Sequence, residues 1–107
     1  MKTKASVFGL LLGIAAILPL GAKAGGNTYN GTGSWDFTTP STTSFSSSVY
    51  DSTAIVVNIT SEQYVYNCTS PGGGSASASN QPADEYEVIQ VVSYGVPGAF
   101  ATTVVSW

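Results

Sequence analysis

Six carboxylates, Asp36, Asp51, Glu62, Asp84, Glu85 and Glu87, and one thiol, Cys68, carry most of the acid–base and nucleophilic capacity of this 107-residue sequence. The three lysines, Lys2, Lys4 and Lys23, all lie near the N-terminus, and there is no arginine or histidine. The run Asp84-Glu85-x-Glu87 supplies hard oxygen ligands of the kind calcium takes, but not the spaced Asp/Asn loop that defines a calcium site. On a strand, Glu85 and Glu87 share one face and form a solvated edge that discourages aggregation. Glycoside hydrolysis needs two carboxylates at a fixed separation across a cleft, and nothing in the spacing fixes such a pair. A serine nucleophile needs a neighbouring base, and neither His nor Lys is present after residue 24. Zinc needs more His or Cys than one thiol provides. The composition therefore predicts a protein that is not an enzyme and holds no metal or cofactor.

The lysines belong to a leader. Residues 1–24 begin Met-Lys-Thr-Lys, continue through an apolar run from Ala5 to Leu20 and end small-x-small at Ala22-Lys23-Ala24. Those are the three parts of a secretory signal peptide, with cleavage expected after Ala24. The apolar run falls short of the roughly 20 residues that cross a bilayer as a helix. An uncleaved anchor, or a pilin-type leader cut after Lys4-Ala5, is the competing reading; Pro19 counts against both. Removal of the leader predicts a secreted or cell-surface chain with only acidic charged side chains and no stable membrane insertion. Nucleic acid is excluded as a partner, because phosphate binding depends on Lys or Arg releasing counterions.

About 83 residues remain after residue 24, enough for one small domain, 25–107. Domains of this size often need disulfides, metal or partners, and a lone Cys68 closes no internal disulfide. The reading of Cys68 is a buried thiol packing as a small hydrophobe. The missing staple favours self-association.

Strand patterns dominate after Ala24. The stretch 25–52 is Gly/Ser/Thr-rich, with a loose opening, a short aromatic strand at Ser34–Thr39 and a polar loop or edge strand around Phe45. Within 53–107, Thr53–Thr60 sets Ile55, Val57 and Ile59 opposite Ala54, Val56 and Asn58. Gln63–Thr69 places Tyr64, Tyr66 and Cys68 together, and a short link makes the two runs a hairpin. Residues 70–83, with Pro71, three glycines and a Ser/Ala tract, read as a flexible loop. Glu85–Tyr94 is apolar on both faces past Tyr86, the mark of a central strand. Pro97-Gly98 fits the middle of a type II turn, and Ala99–Trp107 is the last strand. The expected fold is all-β, a small antiparallel sandwich or barrel of about six strands.

Three segments match the N-glycosylation pattern, at Asn30, Asn58 and Asn67, although so Ser/Thr-rich a chain produces such matches by composition. The many Tyr, Phe and Trp side chains serve core and cross-strand packing, or a platform for stacking sugars. The alternation Ala101, Thr103, Val105, Trp107 resembles the closing strand of outer-membrane β-barrels over fewer than ten residues, yet eight strands do not fit in this length. It equally suits a strand that completes a neighbour's sheet.

These features predict an exported structural protein, the subunit of a surface filament, pilus-like fibre or extracellular matrix, assembled by strand pairing. Val91, Tyr94, Val105 and Trp107 are the candidate assembly residues. The alternative is a monomeric secreted module that binds a glycan or protein surface through exposed aromatics. A secreted inhibitor or toxin that docks through the 70–83 loop is a third class.

Overall fold

A computed structural model describes residues 25–107; residues 1–24, where a signal peptide is expected, lie outside the described residues. Six antiparallel strands form one curled, half-barrel sheet: β1 (Gly26–Asn30), β2 (Gly33–Thr38), β3 (Thr43–Asn58), β4 (Gln63–Gln81), β5 (Glu85–Val92) and β6 (Phe100–Ser106). The all-β expectation and the strand number hold. The order is β1-β6-β3-β5-β2, with β4 on the other side of β3.

β3 organises the sheet by changing partners halfway. Ser44–Tyr50 pair with β6, and Ser52–Asn58 pair with β5. Asp51 stands at the change, with a left-handed φ of 47°, and the ladder to β4 shifts register at the same level, where Tyr50 faces Gly73 and Ser52 faces Ser70. Bulges of this kind bend strands and turn sheet corners. The bend is also required by length: nineteen residues of β4 at roughly 3.3 Å each would reach about 60 Å, whereas the longest dimension of the molecule is 45 Å.

The corner corrects the loop expected at residues 70–83: residues 70–81 belong to β4. Pro71 and Gly72 sit in the break between the two halves of β4, and Ser75–Gln81 continue the ladder against β3. Proline and glycine mark an irregularity in an edge strand here, not a loop. The inner side of the second half, Gly74, Ala76 and Ala78, is half-buried. Residues 26–30, within the opening expected to be loose, form β1, and 43–50 are the first half of β3.

The core lies within the curl. Phe45 meets Tyr86 edge-on at 4.8 Å between ring centroids, and Phe37 packs within 6.3 Å of both. Val56, Val88 and Val105 complete this cluster, and a second one joins Val49, Ala54, Cys68, Val92 and Ala101. The alternation in Thr53–Thr60 is as expected, but Ala54, Val56 and Asn58 face inward while Ile55 and Val57 remain half-exposed. The bulkier set lies on the convex side because Phe45 and Tyr86 already fill the curl. A bulge at Val65 separates the tyrosines that simple alternation put together. Val56 faces Tyr66 and Val57 faces Tyr64, so Tyr66 turns inward and Tyr64 outward.

β5 is central, between β3 and β2, as its two apolar faces imply. The turn after it has Ala99 N–H donating to Val96 O at 3.1 Å, with Gly98 at φ +82°. That geometry is the type II turn expected at Pro97-Gly98.

Candidate functional site

The exposed surface with the least internal explanation is the outer edge of β4. Among the described residues β4 pairs with β3 alone, so its second edge along Gln63–Gln81 is joined to no other strand, although side chains bond Gly72 N–H, Gly73 O and Ser79 O. No residue of that strand is charged. The opposite side of the sheet ends in two shorter strands, β1 and β2. β2 carries Asp36 and lies against Glu85 and Glu87 of β5, so that edge is acidic. Strand edges that lack charge and length limits are the ones that accept another strand. Pro71 is the one protective residue on β4, and it sits in the corner break.

The proposed assembly residues divide into two pairs. Val91 and Tyr94 are exposed, at 55% and 79%. Val105 is buried, and Trp107 is half-buried against the core. The last strand, whose alternation suits either completion of a neighbour's sheet or an ordinary closing strand, is β6 and lies between β1 and β3. Ala101, Thr103 and Val105 point into the curl, so its apolar alternation serves the core of this chain. The exposed apolar groups Tyr50, Phe100 and Val104 lie on the other face of the same half, Tyr50 directly opposite Phe100.

The glycosylation candidates separate just as clearly. Asn30 and Asn67 are exposed. Asn58 is buried; its Nδ2 donates to Asp84 Oδ2 at 3.0 Å and its Oδ1 accepts from Ser61 N–H at 2.9 Å. That amide ties the β3–β4 turn to the β4–β5 link and has no room for a sugar.

The acidic run does not gather into one cluster. Asp84 faces Asn58, while Glu87 accepts a hydrogen bond from Ser34 Oγ at 2.6 Å across the β2–β5 ladder. Among the described residues, no group of three or more metal-ligand side chains comes together. A shallow depression on the convex face has Val57 and Ile59 for its floor, with Tyr64, Glu62 and Glu87 around them. Tyr64 is 70% exposed there, leaving a ring face open beside two carboxylates.

The interior contains a polar chain that sequence reasoning missed. Tyr66 Oη and Ser47 Oγ are 2.6 Å apart, and Ser47 Oγ and Thr103 Oγ1 are 2.7 Å apart. Thr103 Oγ1 donates to Gln90 Oε1, and Gln90 Nε2 donates to Gly31 O at 2.8 Å and Ala101 O at 3.2 Å. Ser47, Thr103 and Gln90 are almost wholly buried. Side chains from β4, β3, β6 and β5 are thus linked to the backbone beyond β1. Burial raises the Tyr66 hydroxyl to about 12, partly offset by the Ser47 hydrogen bond and reinforced by Cys68. The Cys68 thiol is likewise pushed up by burial, which suppresses the nucleophilic thiolate. One signal was available in the sequence: Gln90 is the only non-apolar residue between Val88 and Val92.

Neither a protein-family model nor a curated protein matches this chain in sequence. The functional reading therefore rests on its own geometry.

Proposed function

We propose that this chain is an exported, non-enzymatic structural protein whose copies join by β-strand pairing into a surface filament, pilus-like fibre or extracellular matrix. The observation that carries this reading is the long, uncharged, unpaired edge of β4. Two copies meeting there exchange main-chain hydrogen bonds, which supply affinity without side-chain chemistry. Charge points the same way. Residues 25–107 contain no Lys, Arg or His, so a second copy offers no cationic side chain to an acidic edge. The β4 edge carries no acid and is far longer than the other acid-free edge, β1. Electron microscopy with intact-mass measurement on native material tests this: extended particles built from a chain lacking residues 1–24 are expected. Solitary molecules at high concentration would refute it.

One observation favours the second reading, a secreted binding module. The exposed Tyr64 ring beside Glu62 and Glu87 has an apolar face for a sugar ring and acceptors for its hydroxyls. Under that reading the monomer binds glycans, and Tyr64→Ala abolishes the binding without changing particle size.

A further inference from the structure

β1 is the shortest of the three strands, with β2 and β4, that have one paired edge among the described residues. It pairs with β6 alone, and Tyr29 is its one side chain that is not exposed. Tyr29 stacks on Trp35 at 4.9 Å and on Phe37 at 5.7 Å. The rest of its attachment is the ladder from Gly26–Ser106 to Asn30–Thr102, extended by the mutual bonds of Gly25 and Trp107, with two side-chain bonds, Thr102 Oγ1 to Asn30 Oδ1 and Gln90 Nε2 to Tyr29 O. The fit is close, because a Cβ on Gly26 would lie 2.2 Å from Val105 O. As an edge strand, β1 leaves or arrives sideways without threading the chain.

Its connection to β2 is only two residues, Gly31 and Thr32. Gly31 has φ +81°, a left-handed turn that favours glycine. A short, tightly turned hinge beside a weakly anchored edge strand is the arrangement that invites exchange of that strand between copies. When the hinge extends, the turn is released, and the vacated β6 edge accepts an identical strand from a second molecule. The Tyr29 stack and the β1–β6 ladder reform between molecules.

We infer that β1 is exchanged: the Gly25–Asn30 strand of one copy lies on β6 of another, forming a second interface besides the β4 edge. This rests on the self-assembly reading above and specifies which strand couples the copies.

The ladder itself supplies the test. Gly25 and Trp107 exchange both backbone hydrogen bonds, so counting along the register makes Thr28–Val104 a non-hydrogen-bonded pair, whose side chains are close enough for a disulfide. The full sequence, leader included, is expressed with Cys68→Ala, Thr28→Cys and Val104→Cys, then oxidised mildly. Non-reducing electrophoresis is run beside light scattering. Most chains are expected in disulfide-linked dimers or longer ladders that reduction collapses. Assembled particles whose disulfides all lie within single chains, or whose thiols stay free, overturn the exchange but leave self-assembly standing. Monomeric particles overturn both. Asn30→Cys with Thr102→Cys, the next pair of the same type, repeats the experiment if the first variant does not fold.

Discussion

Replacing Thr103 with valine keeps the shape of a fully buried side chain and removes its hydroxyl. Thr103 Oγ1 bridges Ser47 Oγ and Gln90 Oε1. In Thr103→Val, Ser47 keeps its contact with Tyr66 at 2.6 Å. Gln90, only 1% exposed, loses the donor to Oε1 and is closed off from bulk solvent. Leaving a buried acceptor unsatisfied costs about 1–3 kcal/mol. For a domain of this size each kcal/mol moves the Tm by roughly 4–8 °C, so a fall of about 4–24 °C is expected. Thr102→Val is the control: its neighbouring hydroxyl donates to Asn30 Oδ1 on the surface, and exposed substitutions stay within about 0.5 kcal/mol. Circular-dichroism melts and urea titrations, at a concentration where the chain is monomeric, measure both. Adding Gln90→Leu to Thr103→Val should cost less than the sum of the singles, because the stranded acceptor is gone. If Thr103→Val is no more destabilising than Thr102→Val, the polar chain does not hold the two halves of the sheet together.

Alkaline pH is expected to destabilise the fold. Burial, with Asp84 adding to it and Asn58 opposing it, raises Tyr86 to about 12, and Tyr66 is raised to a similar value. With folded pKa values above the ordinary 10, this stability is complete below pH 10 and declines as pH rises toward 12; ionisation followed at 295 nm should coincide with unfolding for these two groups. Asn58→Ala should cost about 1–3 kcal/mol by stranding Asp84 and the Ser61 amide, and peptide mass mapping should find no glycan on Asn58 in any host. Asp51→Val should destabilise by about 1–3 kcal/mol, because a β-branched residue resists a left-handed φ and cannot accept the hydrogen bond from Gly72 N–H. Asp51→Asn keeps both properties and should melt near wild type.

Local alternation was the readable part of this fold. The central position of β5, the type II turn at Pro97-Gly98 and the two faces of Thr53–Thr60 all followed from periodicity and turn chemistry. Bulges were not readable. Asp51 and Val65 each shift the phase of a strand, and their effects depend on partners distant in sequence. For the same reason composition alone makes Pro71 and the glycines after it a loop, whereas they relieve a corner set by Asp51 on β3. The candidate edge was therefore hidden inside a segment that composition called unstructured. Val105 and Trp107 looked available for assembly because alternation says which residues share a face, not whether that face is covered.

Size against concentration, for the wild type and for Ser75→Asp with Ser77→Asp, puts strand addition to its most direct trial. Both serines are exposed on β4, and acids facing one another about 5 Å apart would repel by about 1–3 kcal/mol per pair at an effective dielectric of roughly 20–80. Light scattering should show the unmodified chain growing into long particles as it is concentrated, with the doubly acidic chain remaining much smaller. A wild-type chain that stays monomeric throughout, or a variant that grows equally well, contradicts pairing through β4.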